Sequence, residues 1–345
     1  DLSAQSLSVL PAELSGLRDL QVLLLHGNQL SGSLDGLEGL TELRAVELSG
    51  NPLGRVPDAL RGLVEVHSLG LSSCQISELP VWLSDLRAIQ QLRLAYNPLA
   101  SVRIPALSQL EGLDLSSCGL QELPEGLGRT SRLRGLSISG NPLCVLPSAG
   151  VPLPQLETLH LARCELESLP DAIGDLSALI TLELGSNRLS ALPDRLTTLA
   201  RLERLNLQNN QLRDLPEDLS GLRSLIHLEL YGNDLSRLPD STAGLDTLEM
   251  LSLGSNRLTS LPAGLGALSQ LRCLRIGGNR LETLPSDLAS SRSLEELVLA
   301  GNPLTELPED LGDLVSLERL DLSMCALQQL PRSSGRMRRL RSLDL

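Results

Sequence analysis

The sequence repeats itself with a period of 23 residues over almost its whole length of 345 residues. The copies align on one Asn or Cys each, and successive alignment residues are 23 apart, except for the 21 residues between Asn97 and Cys118. A unit of this size cannot bury a core alone, so such repeats stabilise one another by stacking. We call the alignment residues the ladder residues: Asn28, Asn51, Cys74, Asn97, Cys118, Asn141, Cys164, Asn187, Asn210, Asn233, Asn256, Asn279, Asn302 and Cys325.

Each repeat contains two segments with different hydrophobic periods. The consensus is L-x-x-L-x-L-x-x-N/C-x-L-x-x-L-P-x-x-L-x-x, and residues 202–222 give a clear copy. The L-x-L alternation predicts a short strand with its Leu side chains inward, and the Asn after it predicts a turn that the amide side chain stabilises. The L-P-x-x-L spacing predicts a turn or two of α- or 3-10 helix. Stacked copies should form a parallel sheet, curved with the strands on the inside, and a ladder of Asn side chains.

This pattern resembles the leucine-rich-repeat superfamily, in its 23-residue class with Leu-Pro on the convex side, and the resemblance covers essentially the whole chain. It implies an α/β fold: a right-handed solenoid, or horseshoe, with a parallel concave sheet and short helical or 3-10 turns on the convex side. We expect residues 1–345 to form a single domain of about 15 repeats, cut from a longer protein. The class is similar to intracellular scaffolds of the death-domain, Ras and phosphatase, polarity and Roco types.

The net charge and the absence of known functional motifs disfavour several classes of function. The formal net charge of -13 disfavours nucleic acid and anionic membrane surfaces as partners. No apolar run is long enough for membrane insertion, and no motif for a metal, a cofactor or catalysis is present. The six Cys residues form no C-x-x-C pair and the sequence has no Asn-x-Ser/Thr glycosylation site, which favours the cytoplasm. We therefore expect a non-enzymatic protein-binding module.

Irregular repeats interrupt the pattern at two internal places. The repeat after Asn97 is two residues short, so it should lose its helical turn. The repeat after Asn141 carries Pro147, Pro152 and Pro154, which excludes a regular helix.

Asn and Cys alternate as ladder residues from Asn51 to Asn187, and Pro52, Pro98 and Pro142 follow three of these Asn. The alternation indicates duplication of a two-repeat unit. The Cys side chains are interpreted as buried single thiols in place of Asn.

The outward strand positions lie six, four, two and one residues before each ladder residue, and together they form what we call the open face. It contains both tyrosines of the chain and three of its four histidines, although the chain has no Phe and one Trp. Tyr and Arg are common anchors of protein interfaces. The predicted partner-binding residues are Arg93, Tyr96, Asp114, His160, Glu183, Arg204, His227, Glu229, Tyr231 and Arg275.

Simpler interpretations of this face stay open. Outward strand positions are polar in any soluble sheet, and Arg93 beside Asp114 could form only a cross-strand ion pair. Two other functions also remain: an extracellular receptor-type ectodomain, or the substrate-recognition region of a larger enzyme such as a Roco GTPase or an effector ligase. An ectodomain would carry disulfide-bonded caps and glycosylation sites, which the sequence does not show.

Overall fold

The computed structural model describes residues 1–150 and 153–345, and these form two compact units, Asp1–Leu166 and Glu167–Leu345. Both units are built from the same element, a three-residue strand followed by a turn region. The first unit has these strands: β1 (Val22–Leu24), β2 (Ala45–Glu47), β3 (Ser68–Gly70), β4 (Gln91–Arg93), β5 (Gly112–Asp114), β6 (Gly135–Ser137) and β7 (Thr158–His160). The second has β8 (Thr181–Glu183), β9 (Arg204–Asn206), β10 (His227–Glu229), β11 (Met250–Ser252), β12 (Cys273–Arg275), β13 (Glu296–Val298), β14 (Arg319–Asp321) and β15 (Ser342–Asp344). The single-domain interpretation stays a prediction.

Within each unit the strands pair in parallel and in sequence order, with equivalent positions of successive repeats aligned. In the second unit, for example, Leu205 pairs with Leu228, and Leu228 with Leu251. The middle residue of a strand points into the core, where Leu92, Leu182 and most other Leu residues are fully buried. The solenoid expected from the 23-residue period is therefore confirmed in each unit.

The turn regions opposite the strands contain 3-10 helices, as the Leu-Pro spacing predicts. In most of them a Pro in an extended conformation lies just before the helix, and its carbonyl accepts the first helical hydrogen bond, as Pro57 does from Leu60. Leu34, Gly126, Gly264 and Asp310 take this position in the other four described helices. In the first unit the helices are Ala12–Gly16, Asp35–Leu37, Asp58–Gly62, Val81–Asp85 and Leu127–Arg129. In the second they are Asp171–Asp175, Asp194–Thr198, Asp240–Gly244, Leu265–Ala267, Ser286–Ser290, Leu311–Asp313 and Arg332–Arg336.

The two irregular repeats lack this helix, and the regular repeat after Asn210 also has none in residues 211–226, so the Leu-Pro prediction fails there. Residues 94–111, all described, contain none, and the backbone N–H of Ile104 instead donates to the carbonyl of Glu125 at 2.8 Å. The predicted loss of a helical turn in the short repeat is confirmed. In the proline-rich repeat, the described part of residues 142–157 contains no helix, while Pro152 and its neighbour Val151 lie outside the described residues.

Each Asn of the ladder joins two repeats through its side-chain amide. Asn97 Oδ1 accepts the N–H groups of Cys74 (3.0 Å) and Ile76 (2.9 Å), and its Nδ2 donates to the carbonyls of Leu71 and Leu94, both at 2.8 Å. A buried backbone group without a partner would cost about 1–3 kcal/mol, so this set of bonds explains the ladder.

The ladder cysteines reproduce only half of this arrangement. The thiols of Cys74, Cys118 and Cys164 are buried, and each lies 3.3 Å from the carbonyl oxygen that an Asn Nδ2 would reach. Among the described residues all six Cys are free thiols, as the sequence interpretation expects for the ladder positions. A thiol is a weak acceptor, so the N–H groups that an Asn Oδ1 would bind need another partner.

Candidate partner-binding face

All ten predicted binding residues belong to the open face, and all except Tyr96 alternate with buried Leu or Ile residues along the chain. Tyr96 instead follows two buried residues, Leu94 and Ala95. Arg93, Tyr96, Asp114 and His160 belong to the first unit. The second unit contains Glu183, Arg204, His227, Glu229, Tyr231 and Arg275. Each of them is at least partly exposed to solvent, so the sheet leaves these side chains available for contact.

In the first unit, Arg93 contacts Glu47 and not Asp114. The register places Arg93 opposite Asp114, but the guanidinium Nη2 lies 2.7 Å from Glu47 Oε2, two strands away. The Glu47 carboxylate reaches that far because it lies over Gly70, whose missing Cβ leaves the space. Asp114 instead accepts the Ser116 N–H and hydroxyl at 2.9 and 2.6 Å. The cross-strand pair of Arg93 with Asp114 considered from the sequence is therefore wrong.

The Glu47 carboxyl group also shows how partners change a pKa on this face. Burial alone would raise the pKa of Glu47, but hydrogen bonds from Ser49 and Arg93 outweigh it and hold the pKa below its ordinary value of 4.5. The carboxylate is therefore charged wherever the protein is near neutral pH, and the Arg93 side chain is held across the strand between them.

The residue just before each ladder position has a left-handed backbone conformation. Its φ is positive in every repeat from Gly27 to Met324, and the column consists mostly of Gly, Ser and Asn. Tyr96 (φ 58°), Arg163 (φ 57°) and Met324 (φ 58°) are the large exceptions. A bulky residue is uncommon in this region of φ, because its Cβ approaches the following carbonyl.

These three side chains gain no compensating burial. Tyr96 is 66% exposed and Met324 is 87% exposed, and Arg163 is also exposed. Neither backbone preference nor packing explains why these three residues are large. Arg163 and Met324 are absent from the binding residues named from the sequence. A large residue in an aligned column of small ones is the signal that identifies them.

In the second unit the open face carries a charged row. Arg275 binds the Glu296 carboxylate through Nη2 (3.0 Å) and Nε (3.3 Å), and Arg319 lies 3.7 Å from the same group. The hydrogen bond from Arg275 lowers the pKa of Glu296. Beside this row, burial raises the pKa of the Cys273 thiol to about 11, so this outward Cys is neutral at physiological pH.

Other kinds of site find little support in the described residues. Within 1–150 and 153–345, no group of three or more His, Cys, Asp or Glu side chains could hold a metal ion. No helix in the part of the chain that the structure describes combines the length and apolarity needed to cross a bilayer.

Comparisons with known proteins agree with this geometry. The family model described as Leucine rich repeat matches residues 154–212, 177–235, 224–281 and 246–304. The LRR protein LIC12759 of Leptospira interrogans is 31% identical, with a TM-score of 0.93, and the match covers 99% of this chain and 87% of that protein. No curated protein matches the sequence.

Two further solved structures are similar at lower identity. The Arabidopsis receptor kinase HAESA, in complex with the peptide hormone IDA and the co-receptor SERK1, is 28% identical with a TM-score of 0.66. That match covers 98% of this chain but only 63% of the HAESA chain. An internalin (InlF) from Listeria monocytogenes, 21% identical over 96% of this chain and 88% of its own, has a TM-score of 0.70 and shows a shared fold alone.

Proposed function

We propose that this chain, which belongs to the leucine-rich-repeat superfamily, is a non-enzymatic recognition module that binds a protein partner on its open face. The observation that carries the proposal is Tyr96, a large aromatic side chain that is 66% exposed at a φ of 58°. Equivalent positions elsewhere are mostly Gly, Ser or Asn, so the fold does not require a Tyr there. Tyr is among the residue types that contribute most to protein interfaces.

The remaining features of the open face fit a broad interface. Side chains of both signs are spread over successive strands, including Arg93 with Glu47 and Arg275 with Glu296. Such a surface suits a folded protein or a peptide more than a small metabolite, which needs an enclosed, mainly apolar pocket. HAESA, a similar structure, is a receptor kinase seen with a peptide hormone and a co-receptor. That likeness supports a protein or peptide ligand for this chain as well.

We further propose that the module is the recognition arm of an intracellular signalling scaffold. Support comes from six free thiols and from a sequence without Asn-x-Ser/Thr sites. A second candidate, an extracellular receptor-type ectodomain, is favoured by the 28% identity to HAESA. Fractionation of the source cells distinguishes them: the scaffold proposal predicts the chain inside the cell, and recovery only outside it or on its surface would contradict this proposal.

Affinity capture with two sets of variants tests the binding face. The open-face variant carries Tyr96→Ala, Arg204→Ala and Tyr231→Ala, and a matched variant carries Val81→Ala, Arg195→Ala and Val315→Ala. The matched residues are exposed and lie in or beside the turn regions opposite the strands. Circular dichroism first establishes that both variants fold.

The proposal predicts that a partner is held by the wild type and by the matched variant and is lost by the open-face variant. The reverse pattern would move the binding site to the opposite side of the repeats. Equal capture by all three proteins would show that none of the named open-face residues contributes.

A further inference from the structure

The open face of the second unit contains a depression with a cavity volume of about 470 Å³. Its floor consists of small residues of neighbouring repeats, at and just beyond the ends of strands β11 to β13, among them Ser252, Gly254, Gly277 and Ala300. Because these side chains are short or absent, the floor lies lower than the surrounding face, and a partner side chain can reach the backbone there.

Tyr231 forms one wall of this depression. A Cβ atom placed on Gly254 would lie 3.0 Å from Tyr231 Cδ2 and 3.4 Å from Cε2, so this edge of the ring lies over Gly254. The residue is nevertheless 47% exposed. The ring is therefore held in place by the floor while much of its surface stays open to a ligand.

Glu229 supplies the charge beside the ring. It precedes Tyr231 by two residues on the same extended segment, so both side chains project from the same face of the sheet. Across the depression, the Arg275 guanidinium is directed to Glu296, on the far side from Glu229, at 3.0 Å. Among the described residues the Glu229 carboxylate has no ion-pair partner, and the more distant charge of Arg275 offsets its charge only in part. The rim beside Tyr231 therefore carries a carboxylate that can bind a cation.

Resting on the proposed function, we propose that this depression binds a basic side chain of the partner protein, with Arg favoured over Lys. A guanidinium plane can stack on the Tyr231 ring and bind the Glu229 carboxylate with its N–H groups. A carboxylate ligand would be repelled by Glu229, and the nearest cation, Arg275, already binds Glu296. The net charge of -13 also favours association with a basic surface.

The two tyrosines of the chain allow a site-resolved test by NMR. With ¹³C-labelled Tyr rings the full chain gives signals from Tyr96 and Tyr231 only, and Tyr96→Phe assigns them. The probes are the peptides acetyl-Gly-Arg-Gly-amide, its Glu counterpart and its citrulline counterpart, which keeps the shape of Arg without the charge. We expect saturable shifts of the Tyr231 signals with the Arg peptide, and smaller or absent shifts with the other two.

Matched variants connect the effect to Glu229. Glu229→Gln should weaken binding of the Arg peptide about threefold, the loss of one exposed ion pair. Asp321→Asn removes a carboxylate from the equivalent position of β14, where Ser323 stands in place of the Tyr, and should leave the affinity unchanged. Equal weakening by both variants would indicate general charge attraction and overturn the proposal.

No Tyr231 shift with the Arg peptide, or equal shifts with the Glu peptide, would also overturn it. Together with the capture experiment, the peptide titration distinguishes failure of this inference from failure of the proposed function. If the open-face variant loses its partner while the Arg peptide leaves Tyr231 unchanged, binding on the open face stands and the basic side chain is wrong. If the Arg peptide binds but capture is insensitive to the open-face variant, the subsite stands and the proposed function fails.

Discussion

The two units form their ladders from different residues. In the first unit Cys alternates with Asn, whereas residues 187–302 of the second unit use Asn in every repeat. Each ladder Cys follows a repeat whose ladder residue begins an Asn-Pro-Leu sequence, and Cys325 in the second unit obeys the same rule, after Asn302 and Pro303. The ladder therefore has two chemically distinct forms within one chain.

Hydrogen bonding explains why Pro and Cys occur together. In the Asn form, Oδ1 of Asn233 accepts the N–H of Leu212, two residues after the preceding ladder residue. Cys provides no comparable acceptor, and at Leu53, Leu99 and Leu143 this N–H donates to the carbonyl of the preceding Asn at 2.8 Å. The Pro between them fixes φ near the value of such a three-residue turn. The Pro thus favours a turn in which the Asn carbonyl replaces the acceptor that the next repeat lacks.

The largest expected effect is the loss of a ladder amide. Asn233→Ala removes the bond from the Leu212 N–H and two bonds to the carbonyls of Leu207 and Leu230. The buried Leu212 N–H is left without a partner, while the two carbonyls keep the bonds from Asn210 and Asn256. We expect the free energy of unfolding to fall by about 3 kcal/mol. Cys118→Ala should cost about 1 kcal/mol, because only weak thiol contacts with the carbonyls of Leu94 and Ser116 are lost. Urea unfolding measures both, and equal losses would show that the two ladder forms contribute alike.

A double-mutant cycle tests the link between Pro and Cys directly. Asn233→Cys alone leaves the Leu212 N–H without its acceptor, and Gln211→Pro alone removes the bond from the Gln211 N–H to the Leu189 carbonyl at 2.9 Å. Together they recreate the Asn-Pro-Leu and Cys form of the first unit. We expect the double variant to be more stable than the sum of the single losses by about 1 kcal/mol. Additive losses would show that the co-occurrence reflects duplication only.

The proline itself should have a smaller effect. Pro98→Ala keeps the backbone hydrogen bond of Leu99 possible but gives the unfolded chain more freedom, so we expect a loss of about 0.5–1 kcal/mol. The matched change Gln211→Ala keeps the N–H that binds Leu189 and should be close to neutral. The measurement is the urea concentration at the unfolding midpoint of each variant. Equal midpoints for Pro98→Ala and Gln211→Ala would contradict a role for Pro98.

The smallest expected effect is on how the free energy of unfolding changes with pH in the alkaline range. Burial raises the pKa of the Cys74 thiol from 9.0 to about 11, and burial also raises the pKa values of Cys118 and Cys164. A raised folded-state pKa stabilises the protein below pH 9 and this contribution is lost as the pH rises towards 11. Unfolding measured from pH 8 to 10 should therefore show a decline that is shallower in Cys74→Ser. An identical slope in this variant would contradict the burial of the thiol.

The fold could be predicted from the sequence because the same features recur in repeat after repeat. The Leu spacing, the Leu-Pro segment and the ladder position each recur in register, so the strands, most 3-10 turns and the missing helix after Asn97 follow from the pattern. The missing helix after Asn210 does not follow from it, because that repeat keeps the Leu-Pro segment. The role of Pro52, Pro98 and Pro142 did not follow, because it depends on which N–H groups a thiol in the next repeat leaves unbound. The spacing of residues along the sequence does not show which carbonyl accepts an N–H group when the ladder residue is Cys.

For the open face, the sequence predicted which side chains are exposed but not which residues they contact. All ten predicted residues are at least partly exposed, and strand alternation accounts for this at every position except Tyr96. Arg93 turned to Glu47 because Gly70 leaves a gap between them, and sequence register alone favoured Asp114. Arg163 is not among the predicted binding residues, although its φ is positive like that of Tyr96. The backbone conformation of that column makes the two residues equally informative.

Photocrosslinking to the partner tests the central claim most directly. A photoreactive benzoyl-phenylalanine at position 96 lies on the open face, and the same residue at position 81 occupies an exposed site in a 3-10 turn on the opposite side. The two proteins are compared with the same captured partner and the same light dose. Binding on the open face predicts a crosslinked product from position 96 and little or none from position 81. A product from position 81 alone would contradict it.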